Sequence, residues 1–132
     1  MKTILIVEDN EKNMKLVRDI LRHNGHATIE AQTGGEGVRL ASDRKPDLVL
    51  MDIQLPDIDG IEALRRIRAD RALDSVPVIA VSASVMPDDQ QKIVTSGFDA
   101  FVTKPINLKQ FLDTVRRFLA GERRAARGGG DA

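Results

Sequence analysis

The chain has 132 residues, of which 42% are apolar and 30% charged, and its 20 basic and 20 acidic residues cancel to a formal net charge of zero. That composition suits one globular domain and lacks the clustered positive charge that broad electrostatic binding to nucleic acid requires. Cys, Trp and Tyr are absent and only four Phe are present, which excludes disulfides, thiolate catalysis and Cys-ligated zinc and leaves no base-stacking platform. The first apolar run, Ile4–Val7, predicts a strand. It stops at Glu8 and Asp9, too soon for the apolar core of a signal peptide. No segment approaches a membrane span, so a cytoplasmic protein without membrane contact is expected. Met14, Val17, Ile20 and Leu21 then share one helical face, and Asn24-Gly25 supplies a helix stop. His23 and His26, beside Gly25, read as solvated turn residues rather than metal ligands.

Ala27–Ala31 predicts the second strand, and Val38 with Leu40-Ala41, between "TGGEG" and Lys45-Pro46, the second helix. Leu48–Met51 is a continuous apolar run, as in a strand buried on both faces. It ends on Asp52, and Pro56 soon forbids further strand. A third helix is predicted over about Ile61 to Arg71, with Ile61, Leu64 and Ile67 inward and Arg65, Arg66 and Arg68 outward. Val78–Val81 predicts strand four, and a helix follows from Pro87, a favourable first-turn residue, with Asp88 and Asp89 at the positive end of its dipole. Ala100–Thr103 predicts strand five. Asn107 then caps a helix carrying Phe111, Leu112, Val115, Phe118 and Leu119. Beyond Ala120 the stretch "GERRAARGGGDA" holds no apolar residue larger than Ala. A domain over residues 1–120 and a disordered tail over 121–132 are expected.

Five strands alternating with five helices imply an α/β fold with one parallel sheet covered on both faces. Right-handed crossovers leave the flavodoxin-like doubly wound order 2-1-3-4-5 as the expected topology. In such a sheet a ligand sits beyond the carboxyl ends of the strands, at the switch point between the first and third. Glu8 and Asp9 end strand one and Asp52 ends strand three, so three carboxylates converge there. Asp9, just before a helix, reads equally well as a capping acid. Together the three repel one another unless a cation is present, and hard oxygen ligands with open positions suit Mg²⁺. Ser82 ends strand four and Lys104 ends strand five at the same edge. A metal, an ammonium and a hydroxyl around one carboxylate are the requirements of phosphoryl transfer. Asp52 at their centre would be the nucleophile, giving an aspartyl phosphate.

Over about residues 2–119 the sequence resembles the receiver domains of two-component response regulators. The matching stretches are "ILIVEDN", "LVLMDIQLPDIDG", Ser82 followed by Ala83, and "TKP" at Thr103 to Pro105. Within that family the sequence is most similar to the stand-alone cell-division regulators of alphaproteobacteria, and "SGFDAFVTKPI" is also the style of receivers attached to hybrid histidine kinases. The resemblance implies phosphorylation of Asp52 by a histidine kinase or a histidine phosphotransfer protein. It implies Mg²⁺, replaceable by Mn²⁺, bound by Asp9, Asp52 and the Gln54 main-chain carbonyl, with Glu8 acting through water. The Ser82 hydroxyl, the Ala83 main chain and Lys104 would receive the phosphoryl group. Gln54 and Ser84 would flank the line of water attack that limits its lifetime. Ser82 and Phe101 would be the switch pair, and a cis bond would precede Pro105. Output would pass to a downstream protein through the face of helix four, strand five and helix five, from a monomer or weak dimer without direct DNA binding. The chain departs from the family in having Glu8 where Asp is commoner and Ser82 where Thr is commoner; both keep the functional group.

Rival readings are weaker. "DIDG" (Asp57 to Gly60) resembles the D-x-D-G loop of haloacid-dehalogenase-type phosphatases, but Leu55-Pro56 separates it from the strand it should follow. A calcium loop with Gly60 as its sixth residue would begin on Leu55, which offers no side-chain oxygen. A degenerate receiver that binds partners without phosphate would not need the full set Asp9, Asp52, Ser82 and Lys104.

Overall fold

The computed structural model describes residues 2–83 and 86–123. Among these, five strands and five helices alternate: β1 (Thr3–Val7), α1 (Glu11–His23), β2 (Ala27–Ala31), α2 (Gly34–Arg44), β3 (Leu48–Asp52), α3 (Gly60–Ala69), β4 (Val78–Ser82), α4 (Pro87–Ser96), β5 (Ala100–Thr103) and α5 (Leu108–Leu119). All strand pairs are parallel, in the order β2-β1-β3-β4-β5. This is the expected flavodoxin-like topology.

Strand alternation sorts the core into two layers. Leu5 and Val7 of β1, Val49 and Met51 of β3, and Val78 and Ala80 of β4 pack with Ala63, Leu64 and Ile67 of α3 and Ile93 of α4. Their neighbours Ile4, Ile6, Leu48, Leu50, Ile79 and Val81 point to the other face and meet α1 and α5, through Met14, Val17, Leu21, Phe111, Val115 and Phe118. Every residue of β3 and β4 is buried, which is why these strands read as unbroken apolar runs. Side chains cap four of the helices: Asn10, Thr33, Asp59 and Asn107 each accept a hydrogen bond from the main-chain N–H three residues on, at 2.8–3.1 Å. Such a cap is worth about 1 kcal/mol. Because Asn10 caps α1, Asp9 is not the capping acid. Gly25, at φ +87°, ends the first helical segment in the left-handed region that glycine tolerates. The neighbouring histidines differ: His23 is exposed, but His26, just before β2, is half-buried, not simply solvated.

The third helix departs from expectation at its end. It stops at Ala69, and Arg71 lies in a separate 3₁₀ turn, Arg71–Leu73. Asp70 causes the break: its carboxylate accepts from the Ala72 N–H at 3.0 Å, giving the backbone a local alternative to the helix. Arg68 is also corrected, because it does not point outward. Its guanidinium donates to the carbonyls of Leu73 and Val76 and to Asp99 at 2.8–3.1 Å, and the Asp99 side chain is wholly buried. Arg123 pairs with Asp99 at 2.9 Å and Glu122 with Arg117 at 2.7 Å, so the first residues after Ala120 are tied to the domain. Residues 124–132 of the expected tail lie outside the described residues.

Gly60 is where the connection after β3 closes on itself. Its N–H donates to Ile53 O at 2.8 Å, and a Cβ there would sit 2.5 Å from Asp52 O and 2.9 Å from Ile53 Cα. Those are backbone atoms that no rotamer change can move. Gly60→Ala is therefore expected to destabilise the protein by about 1–3 kcal/mol, the usual range for overpacking. Urea unfolding of wild type and variant checks this; an unchanged midpoint would show that the backbone yields without cost.

Candidate functional site

Register brings the acids together. Val7 pairs with Met51, and Asp52 with Val81, so Glu8, Asp52 and Ser82 leave adjacent strands at one edge of the sheet. Ser82 pairs with Thr103, which places Lys104 one step beyond, with its own N–H donating to Ser82 O at 2.9 Å. Glu8 and Asp52 are each only 5% exposed, whereas Asp9 is open to solvent.

Glu8, Asp9 and Asp52 each present a carboxylate oxygen within 4.8 Å of the others. Lys104 Nζ lies 3.0 Å from Glu8 Oε1 and 2.9 Å from Asp52 Oδ2. The remaining carboxylate oxygens meet main-chain donors: Asn10 N–H reaches Glu8 Oε2, and Gln54 N–H reaches Asp52 Oδ1, both at 3.1 Å. Burial first, and then the hydrogen bond to Asp52, raises the Glu8 carboxyl above its ordinary pKa. Burial opposes the Lys104 ammonium, but its hydrogen bonds to Asp52 and Glu8 outweigh that cost and raise its pKa. Lys104 thus stays charged and neutralises part of the acid cluster.

Two hollows meet at Asp52. One, of about 380 Å³, is bounded by Glu8, Asp9, Asp52, Gln54, Ala83 and Lys104. Three crowded carboxylates against one ammonium favour a further cation, and a hard-oxygen donor set open to solvent fits Mg²⁺. The other, of about 180 Å³, runs between Asp52, Ser82, Ala83, Asp89 and Lys92 over an isoleucine floor. From sequence alone Asp89 reads only as a dipole acid, and Lys92 has no assigned role. Their spacing of three residues, in a helix that follows a strand ending at the site, was the available signal.

Gln54 and Ala83 line both hollows. The Lys104–Pro105 peptide is cis. Phe101 is half-buried and packs against the core layer that holds α3 and α4. Ser84 lies outside the described residues. Among the described residues, no helix is long and apolar enough to cross a membrane.

A family model described as "Response regulator receiver domain" matches residues 4–116. The polar-differentiation response regulator DivK of Brucella ovis is 43% identical over 118 residues, covering 89% of this chain and 96% of DivK. Among solved structures, the receiver domain of the sensor histidine kinase PA1611 from Pseudomonas aeruginosa, which carries a magnesium ion coordinated in its active-site cleft, is 31% identical. It has a TM-score of 0.84 and covers 90% of this chain and 98% of that one. The receiver domain of a histidine kinase from Syntrophus aciditrophicus is 32% identical, with a TM-score of 0.85 and coverage of 94% of both chains. With the family model spanning most of its length and the likeness to DivK nearly end to end, the chain belongs to the response regulator receiver domains.

Proposed function

We propose that Asp52 accepts a phosphoryl group from the phosphohistidine of a histidine kinase or histidine phosphotransfer protein, and that the chain works as a stand-alone regulator. The observation that carries this reading is the position of Asp52: a buried carboxylate shared by an acid-lined hollow and a hollow bounded by Ser82 and Lys92. The 43% identity to DivK supports a DivK-like regulator, and the name of that relative supports a role in polar cell differentiation.

In the proposed step an Asp52 oxygen forms the new P–O bond as the P–N bond to histidine breaks. The imidazole nitrogen leaves with the electron pair and takes a proton from solvent. Gln54 N–H and Lys104 fix the two Asp52 oxygens, so the nucleophile is held before the donor arrives. Lys104, the Ser82 hydroxyl and the Ala83 main-chain N–H then receive the phosphoryl oxygens. A bound Mg²⁺, held by Asp9, Asp52 and the Gln54 carbonyl with Glu8 acting through water, would offset charge on those oxygens. Ser84 and the Gln54 side chain would set the lifetime of the product. The chain is a signalling domain that assists its own modification, not an enzyme acting on a separate substrate. Output would leave through α4, β5 and α5, where Val94 and Leu108 are 54% and 55% exposed and Phe101 of β5 is half-buried against the core.

Incubated with acetyl phosphate and Mg²⁺, wild type is expected to gain one phosphoryl group by intact mass, and Asp52→Asn none. Modification of both at the same rate would exclude Asp52 as acceptor.

Melting with and without Mg²⁺ tests the metal. At a hundredfold excess over its dissociation constant, binding should add roughly 2.7 kcal/mol of stability. Asp9→Ala should abolish that response and slightly raise metal-free stability, because one repelling charge is gone. Equal responses in wild type and Asp9→Ala would mean the metal is held elsewhere.

Phe101→Ala should accept phosphate at the wild-type rate, yet bind its downstream protein without the phosphorylation-dependent gain. Target affinity with and without a beryllofluoride mimic measures this. A full gain in the variant would make Phe101 an ordinary core residue.

A further inference from the structure

The connection between β3 and α3 carries Gln54, and its middle is fastened to a helix that contributes nothing else to the site. Asp57 Oδ1 accepts from the Gly34 N–H and Oδ2 from the Gly35 N–H, each at 2.8 Å. These are the first two N–H groups of α2, which have no partner within the helix. Thr33 already caps α2 through the Glu36 N–H at 3.1 Å, so the Asp57 bonds join separate segments rather than replace a missing cap. The start of α2 is also stripped of side chains where the connection lies against it. A Cβ on Gly34 would stand 2.5 Å from Ile58 Cγ1 and 3.2 Å from Ile58 O. Ile58 itself packs on the core. The N–H groups of Gly35, Ile58 and Gly34, in that order, hold the Asp57 carboxyl down to about 2. The anchor is therefore ionised at neutral pH, and the positive end of α2 favours that charge.

We propose that Asp57 is a positioning residue for the metal: by tying the β3–α3 connection to the start of α2, it holds the Gln54 main-chain carbonyl at the acid-lined hollow. This rests on the reading of that hollow as an Mg²⁺ site. A carbonyl ligand has no side-chain freedom of its own, so the backbone that carries it sets its place. Gly60 N–H to Ile53 O and Gln54 N–H to Asp52 Oδ1 hold the connection close to β3. Asp57 holds its outer limb. Without that anchor the connection must be ordered when the metal binds, and the ordering cost weakens affinity.

Isothermal titration of the full chain with Mg²⁺, paired with metal-free melting, tests the inference on Asp57→Ala, Asp57→Asn and Thr33→Ala. Thr33→Ala is the control: it removes the neighbouring α2 cap without touching the connection. Asp57→Ala is expected to bind Mg²⁺ about five- to thirtyfold more weakly, the loss that follows if roughly one residue must be ordered on binding. Asp57→Asn, which keeps one acceptor oxygen but loses the second and the charge, should fall between it and wild type. Thr33→Ala should melt lower yet bind Mg²⁺ as wild type does. If Asp57→Ala melts lower but binds normally, Asp57 is only a helix cap and the proposal is overturned. Should Asp57→Ala not fold, Asp57→Asn decides in its place: wild-type affinity overturns the proposal and weakened affinity supports it. A wild type that binds no Mg²⁺ overturns the metal reading and this inference with it, an outcome distinct from normal binding by the variants.

Discussion

Repulsion among carboxylates at one edge of the sheet is the constraint on which the rest of the site depends. At an effective dielectric near 20, two like charges about 4 Å apart repel by roughly 4 kcal/mol. That is a large share of the roughly 5–15 kcal/mol by which a domain is stable. Glu8, Asp9 and Asp52 bring carboxylate oxygens within 4.8 Å of one another, so they cannot be left uncompensated. The protein answers in three ways. Lys104 sits between Glu8 and Asp52; Asp9 stays exposed to solvent; and burial pushes Glu8 toward its protonated form. Each relieves part of the repulsion and none removes it, which leaves a site biased toward taking up a cation.

A cluster under that strain persists only if its scaffold cannot relax. The parallel sheet supplies the rigidity, since β3 and β4 are buried along their whole length and helices cover both faces. Asp52 is the last residue of the most central strand, which β1 holds on one side as far as Met51 and β4 holds on the other through Asp52 itself. Beyond it the chain turns at once into a connection that returns to touch its own start at Gly60. Acid placement and acid retention are thus properties of topology, with side-chain contacts making the final adjustment.

This division explains what was legible in the sequence. Strand ends are marked by the switch from apolar run to charge, so Glu8, Asp9, Asp52, Ser82 and Lys104 could be assigned to one edge once the order 2-1-3-4-5 was inferred. Helix caps were partly legible, Asn107 among them, because they depend on residue type at one position. Contacts between distant segments were not. Arg68 sits on a helix in a run of arginines, and nothing local separates it from Arg65 and Arg66. The buried Asp99, 31 residues away, and the carbonyls of Leu73 and Val76 turn it inward. Asp70 ends α3 by competing with a helical pattern that was otherwise intact. Asp57 reads as part of an unrelated loop motif because its partners, Gly34 and Gly35, precede it by 23 and 22 residues. Lys92 escapes for a simpler reason: its spacing of three from Asp89 is its one sequence mark, and that spacing alone does not separate a site-facing lysine from a solvated one.

The ion pairs also constrain how a phosphoryl group on Asp52 would be felt elsewhere. A lysine ammonium has three N–H donors, and among the described residues Lys104 directs two of them at Glu8 and Asp52. Phosphorylating Asp52 would exchange a carboxylate for a group bearing about −1.5 to −2 charge, displaced outward from the sheet. Lys104 could follow that charge with its third donor while Glu8 remains its tether, so its own movement would be small. Ser82 stands on the other side of Asp52, at the end of β4, and its carbonyl accepts from the Lys104 N–H at 2.9 Å. The strand end that carries Ser82 is therefore stitched to the one that carries Lys104, three residues after Phe101. A charge gained at Asp52 would pull on β4 and β5 together, and the half-buried Phe101, packed against the core layer of α3 and α4, is the large side chain on β5.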